Sequence, residues 1–206
     1  MTGAPVRPAA RFTTENQVVP STGEIASIAG NPAGTTKGPN MKTTTRNFDR
    51  KYFVIDLENL IGGDEKYSED LVRFVWSTIK PWINNGDQVI VASALALAKY
   101  ALFALKDENI RYYLRSGLNG ADNELLYRID EDRAANRYST LVIASGDHAF
   151  AELAMRANHA GMTTWRVSGN GTPSRALDKA CSLHAHLKVS RADRLRASRK
   201  LVANVA

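Results

Sequence analysis

The chain has 206 residues, of which 44% are hydrophobic and 23% are charged, and its formal charge at pH 7 is +6. A single cysteine, Cys181, excludes an internal disulfide bond and fits a reducing cytoplasm, where we expect the protein to reside. No apolar run approaches the roughly 18–20 residues that span a bilayer, and the N-terminus lacks the charged-then-apolar order of a signal peptide.

The basic residues are concentrated at the two ends of the chain. Six basic and three acidic residues precede Lys51, and six basic residues and one acidic residue follow Leu187. Residues 51–187 hold 15 basic and 17 acidic residues. Basic ends around a mildly acidic centre suit a polyanionic partner, whereas solvated tails are the alternative interpretation.

Composition divides the chain into three segments. Residues 1–46 are rich in Pro, Gly, Thr, Ala and Asn and have few large apolar side chains, so they cannot bury enough surface to offset the entropy of ordering. We therefore predict a disordered N-terminal arm over residues 1–46, a folded domain over 47–187 and a basic C-terminal tail over 188–206.

Strands and helices alternate through the predicted domain. A helix is expected after the N-cap residue Ser68 and should end before Pro81. The other helices are predicted over residues 96–105, 122–135, 148–159 and 174–187, and the strands over 51–57, 88–92, 110–114, 140–144 and 163–167. This alternation predicts a three-layer α/β/α sandwich around a mostly parallel sheet of about five strands.

Three aspartates fall at the ends of predicted strands or at the start of a helix. Asp56 ends the first strand, Asp147 follows the fourth within a Ser-Gly-Asp sequence, and Asp122 begins a helix. A strand order of 3-2-1-4-5 would bring these acids to the switch point of the sheet, where ligands bind. Mutually repelling carboxylates indicate an Mg²⁺ or Mn²⁺ site, to which Asn59 adds a neutral oxygen. Helix capping is the alternative for Asp122 and Asp147.

These residues resemble the NYN family of PIN-like nucleases over about residues 51–187. The matching positions are Asp56 with Asn59, the Gly-Ala-Asp that ends in Asp122, and the Ser-Gly-Asp that ends in Asp147 with Phe150 after it. The resemblance implies a PIN-like Rossmannoid fold and RNA cleavage in which Asp56, Asn59, Asp122 and Asp147 are catalytic and the three aspartates hold Mg²⁺ or Mn²⁺. Ala149 and Cys181 stand where the family often has further acids, which reduces the acid count.

The predicted function is that of a metal-dependent ribonuclease. The alternative is a catalytically weakened RNA-binding or scaffold domain of the same fold, which the residues Ala149 and Cys181 favour. A small-molecule phosphohydrolase is a third class, disfavoured because no phosphate-cradling loop is present. RNA is the expected partner, no membrane contact is expected, and a homo-oligomer is compatible with the sequence. The expected nucleic-acid contacts outside the site are Lys188, Arg191, Arg194 and Arg196.

Overall fold

A computed structural model of the chain describes residues 49–62, 67–169 and 173–187, together with residues 192, 193 and 196. The described residues form a six-stranded sheet in which all neighbouring strands are parallel. The strands are β1 (Lys51–Asp56), β2 (Gln88–Ser93), β3 (Arg111–Leu114), β4 (Thr140–Ala144), β5 (Thr163–Ser168) and β6 (Leu183–His186). Their order across the sheet is β3-β2-β1-β4-β5-β6.

Helices cover both faces of this sheet. The α-helices are α1 (Leu57–Ile61), α2 (Glu69–Ile79), α3 (Leu95–Ala104), α4 (Gly120–Arg128), α5 (Glu131–Ala135), α6 (Ala151–His159) and α7 (Arg175–Ala180), with 3-10 turns at Lys80–Trp82 and His148–Phe150. Helices α1, α2 and α3 share one hydrophobic core with Phe53 and Ile55 of β1. Helices α4 to α7 share a second core with Val54. Successive side chains of a strand point to opposite faces, so a strand covered on both sides is apolar throughout.

The predicted α/β fold is confirmed, including the central placement of β1 beside β4. The local signals at the first long helix also agree with the structure. The Oγ of Ser68 accepts a hydrogen bond from Leu71 N at 3.1 Å and so caps α2. Helix α2 ends at Ile79, directly before the 3-10 turn that contains Pro81.

The predicted last helix over residues 174–187 is too long. Helix α7 ends at Ala180, and the chain continues into the additional strand β6 at one edge of the sheet. Cys181 has an extended backbone, and the side-chain amide of Asn158 donates to the carbonyl of Ala180 at 2.7 Å. Because this contact satisfies a carbonyl at the helix end and Ser182 N donates to the backbone of β5 at 3.0 Å, the chain passes from helix to strand.

The predicted helix over residues 122–135 is divided into α4 and α5. Ile129 has an extended backbone with φ −106° and ψ 124°, which ends α4. Asp130 then caps the next helix, since its Oδ1 accepts from Arg133 N at 2.9 Å. The helical spacing of the apolar residues therefore did not reveal that a second helix begins after the N-cap residue Asp130.

The predicted arm over residues 1–46 and most of the predicted tail over 188–206 lie outside the described residues. Within the part of the chain that the structure describes, no helix is long and apolar enough to cross a bilayer.

Candidate active site

Two neighbouring strands deliver carboxylates to the same edge of the sheet. Asp56 is the last residue of β1, and Asp147 lies three residues beyond the end of β4. Because β1 and β4 pair in parallel, with Ile55 opposite Ala144, both strand ends face the same direction. The structure thus places these two aspartates at the carboxyl edge of the sheet. This is the switch point, because the chain leads from β1 to β2 on one side and from β4 to β5 on the other.

Asp56 is a buried carboxyl group held by two hydrogen bonds. Its residue surface is 5% exposed. Its Oδ1 accepts from the backbone N–H of Asn59 at 3.2 Å, which caps the short helix α1. Its Oδ2 accepts from the Oγ of Ser145 at 3.2 Å. The orientation of this carboxyl group is therefore set by α1 and by the segment that follows β4.

Ser145 links the two strand ends and was not among the predicted site residues. It is fully buried, and while its hydroxyl donates to Asp56, its Oγ also accepts from Asp147 N at 3.1 Å. The signal for this role was the Ser-Gly-Asp sequence itself, in which a small hydroxyl residue precedes the acid by two positions. Ser145 is a positioning residue for both aspartates.

Asp122 forms a pair with Asp56. It lies in the first turn of α4 and is only 9% exposed. Burial and the charge of Asp122 raise the pKa of Asp56 from its ordinary value of 3.8 to about 8. Burial also raises the pKa of Asp122, while its hydrogen bond with Asp56 opposes the rise. The hydrogen bond between the two carboxyl groups raises the pKa of Asp56 and lowers that of Asp122. These opposite effects agree with a proton that resides on Asp56 and is donated to Asp122.

Asp147 is both a cap and a neighbour of the carboxyl pair. Its Oδ1 accepts from Ala149 N at 2.8 Å, so the capping interpretation is correct for this residue. The same oxygen lies 3.0 Å from Nδ1 of His148, whose side chain is 80% exposed. The charge of Asp147 contributes to the raised pKa of Asp122, whereas that of His148 opposes it. Asp147 therefore acts electrostatically on the pair while it caps the turn.

Asn59 braces the loop that carries Asp147. Its Oδ1 accepts from the backbone N–H of Gly146 at 2.8 Å, which joins α1 to the segment after β4. The predicted neutral oxygen at this edge is thus already engaged with the protein backbone. In this structure that oxygen supports the loop of Asp147.

A cleft of about 230 Å³ opens over the carboxyl pair. Its lining residues are Asp56, Glu58, Asn59, Gly117, Asn119, Gly120, Ala121 and Asp122. A larger cavity of about 440 Å³ lies between α6 and α7, but its lining contains no carboxylate. The chemistry therefore favours the smaller cleft as the functional one.

Glu58 is a third acid in the lining of this cleft, beside Asp56 and Asp122, and the sequence interpretation left it unassigned. Burial raises its pKa, and the charge of Asp122 adds to the rise, while a hydrogen bond from Ala94 N opposes it. Its position two residues after Asp56, at the start of α1, was the available signal. The cleft is consequently more acidic than Asp56 and Asp122 alone would make it.

The acids are adjacent but are not arranged as a closed ligand set. Among the described residues, no three His, Cys, Asp or Glu side chains form a group that could hold a metal ion. Asp56 and Asp122 nevertheless fit a hard divalent cation in donor chemistry, since two carboxyls meet there in a buried position.

Three of the four predicted nucleic-acid contacts, Lys188, Arg191 and Arg194, lie outside the described residues. The fourth, Arg196, is described. Its side chain is 83% exposed, and its Nη1 is 4.0 Å from Oδ1 of Asp193. The role of these residues in RNA binding therefore stays a prediction.

Comparison with known proteins agrees with the sequence motifs. The profile of the NYN domain matches residues 38–187, which begins upstream of the boundary predicted at residue 47. No match is found among curated proteins. The fold is similar to the crystal structure of a protein of unknown function from Vibrio parahaemolyticus, with 12% identity and a TM-score of 0.52 over 68% of this chain and 93% of that chain. The chain belongs to the NYN domain family, a family of PIN-like nucleases.

Proposed function

We propose that the protein is a divalent-metal-dependent ribonuclease that cleaves RNA phosphodiester bonds at the cleft above Asp56 and Asp122. Membership of a nuclease-type family gives the general class of activity. The observation that carries the proposal is the buried pair of carboxyl groups at the carboxyl edge of the sheet, with Asp147 beside it.

The electrostatics of the pair favour a cation. Two carboxylates about 4 Å apart repel by roughly 4 kcal/mol at an effective dielectric constant near 20. In the protein alone a proton on Asp56 relieves this repulsion, as its raised pKa indicates. Mg²⁺ or Mn²⁺ would relieve it as well, because both ions prefer carboxylate and water oxygens. Metal binding would then release the proton from Asp56.

Each residue of the site has a proposed role. Asp56, Asp122 and Asp147 would hold Mg²⁺ or Mn²⁺ partly through waters, since the three do not form a closed ligand set, and the ion would lower the pKa of a coordinated water and offset charge on the attacked phosphate. Ser145 keeps Asp56 and the loop of Asp147 in a fixed relation through its two hydrogen bonds. Asn59 holds that loop against α1. These contacts fix the acids before a substrate arrives, which is how a site avoids reorganisation during the reaction.

Cleavage of a labelled single-stranded oligoribonucleotide in Mn²⁺ tests the proposal. We expect Asp122→Asn and Asp147→Asn to lower the cleavage rate by roughly 100-fold or more, because the charge stabilisation lost is worth several kcal/mol. Asp107→Asn is the matched control, since Asp107 is an exposed acid in the turn after α3. Equal cleavage rates for the wild-type protein and Asp147→Asn would refute the proposed active site.

A separate measurement addresses the metal. Mn²⁺ should raise the melting temperature of the wild-type protein, because a ligand of the folded state stabilises that state. The rise should be absent in Asp56→Asn and present in Asp107→Asn. The same rise in both variants would show that Mn²⁺ binds elsewhere.

The basic tail is proposed as an additional RNA contact. Lys188, Arg191, Arg194 and Arg196 give the tail a positive charge next to a nuclease domain. Neutralising phosphates releases counterions, so affinity for RNA should fall steeply with salt. Replacing the four residues by glutamine should reduce that salt dependence. An unchanged dependence of the affinity on salt would show that these four side chains do not contact the RNA.

One set of observations favours the alternative, a catalytically weakened RNA-binding or scaffold domain. Ala149 supplies only a backbone N–H to Asp147 at a position where the family often has an acid. Cys181 is buried, and burial raises its pKa to about 11, so it remains a neutral thiol. RNA binding without cleavage in Mn²⁺ or Mg²⁺ would select this alternative.

A further inference from the structure

Leu118 projects from a closed turn at the rim of the cleft. It is the most exposed of the large hydrophobic side chains that the structure describes, at 93%. Its neighbours Gly117 and Asn119 both have left-handed backbones, with φ of 107° and 53°. Gly120 N donates to Gly117 O at 3.0 Å, and a Cβ on Gly120 would overlap the carbonyl oxygen of Arg115. The turn is therefore tightly packed at its base while its leucine stands in solvent.

The same turn forms one wall of the acidic cleft. Gly117 and Asn119, on either side of Leu118, line the cleft together with Asp56 and Asp122. The cleft measures about 230 Å³, which is below the range of about 300–1,000 Å³ that is usual for pockets that enclose a whole ligand. A volume of this size suits a phosphate and its sugar, so the bases on either side would stay outside the cleft, next to the turn that carries Leu118.

We propose that Leu118 inserts between two adjacent bases of the RNA and so presents the phosphate between them to Asp56 and Asp122. This inference rests on the proposed function. Apolar side chains, leucine among them, serve as wedges that part stacked bases in other nucleic-acid complexes. Arg115 starts the same turn, and its side chain is 51% exposed. Its Nη1 lies 3.8 Å from Oε2 of Glu124, which Arg128 also contacts at 2.7 Å, so two arginines share one acid and leave a net positive charge for the adjoining phosphates. A nucleic acid suits this combination of an apolar side chain, a positive charge and an acidic cleft.

Base unstacking can be measured without cleavage. An oligoadenylate that carries one 2-aminopurine becomes more fluorescent when that base loses its stacking partners. In an Asp147→Asn background with Mn²⁺, binding should raise the fluorescence, and adding Leu118→Ala should remove about half or more of the rise. Leu183→Ala is the control, because Leu183 is 52% exposed on β6, at the opposite edge of the sheet from β3. An equal rise with and without Leu118→Ala would overturn the proposal.

Cleavage of two homopolymers gives a second readout. Leu118→Ala should lower kcat/KM about tenfold on oligoadenylate, whose bases stack strongly, and less than about twofold on oligouridylate, whose bases stack weakly. An equal loss of kcat/KM on both RNAs would show a general contact with RNA and would overturn base insertion by Leu118. No loss on either RNA would also overturn it and would favour a protein as the partner of Leu118. If the wild-type protein cleaves neither RNA, the proposed function fails and the wedge fails with it. If it cleaves both and Leu118→Ala does so equally well, only the wedge fails.

Discussion

Replacing Asp56 by asparagine is expected to stabilise the metal-free protein above neutral pH. The asparagine amide can donate to Asp122 in the way that the shared proton of Asp56 does. Its carbonyl oxygen can accept one of the two hydrogen bonds that Asp56 now receives from Asn59 and Ser145. The variant thus resembles the protonated aspartic acid but cannot lose a proton.

The sign and size of the effect follow from the pKa of Asp56. Because the folded-state pKa is raised from 3.8 to about 8, its stabilising contribution is complete below about pH 4 and is lost as the pH rises through about 8. A difference of 1 between the folded and unfolded pKa values corresponds to about 1.4 kcal/mol of stability. The free energy of unfolding of the variant should therefore exceed that of the wild type by several kcal/mol at about pH 8, with about 6 kcal/mol as the upper limit.

Urea denaturation in EDTA, from about pH 4.5 to about pH 8.5, measures this difference. The midpoint for Asp56→Asn should move progressively above that of the wild type as the pH rises, at an unchanged slope m. Asp107→Asn should follow the wild type at every pH, because this exposed residue has no part in the buried pair. A constant difference across the range, or a less stable Asp56→Asn at pH 8, would refute the assignment of the proton to Asp56.

Three further changes have defined outcomes. Ser145→Ala should lower the free energy of unfolding by about 1–3 kcal/mol in urea denaturation, since Asp56 and a backbone N–H each lose a buried partner; a neutral result would contradict the linking role. Gly120→Ala should cost about 1–3 kcal/mol in the same assay, because the new methyl group overlaps the backbone of Arg115, and an unchanged midpoint would show that the turn relaxes freely. The Cys181 thiol should react with a disulfide reagent at pH 8 only after unfolding, because burial raises its pKa to about 11; rapid reaction of the native protein would refute this.

The central strands could be predicted because their residues are apolar whichever face they occupy. Strands β1 and β4 lie between two hydrophobic cores, so both read as short continuous apolar runs. The acids at their ends then predicted the carboxyl edge as the site. Ser145 and Glu58 were missed although their strands were correctly placed, because local spacing does not show which side chain forms a hydrogen bond across two strands or lines a cleft.

The edge of the sheet was harder to predict for a related reason. Strand β6 contains two histidines and no apolar run, so its sequence carries little strand signal. It is stabilised by pairing with β5, and the helix before it ends where Asn158 meets Ala180. Both determinants come from parts of the chain that are distant in sequence. The division between α4 and α5 was in principle visible, since Asp130 is a good N-cap residue that the helical spacing obscured.

The pairing of β1 with β4 has a consequence for synthesis of the chain. The hydrogen bond from Ser145 to Asp56 joins residues 89 positions apart. Contacts of such separation form late, because the loop between them must close before the contact is made. A nascent chain that has emerged only as far as β3 can hold Asp56 but lacks the strand that orients it. A ribosome-bound fragment would therefore carry half of the acidic cleft, and the site would assemble only after most of the domain had left the exit tunnel.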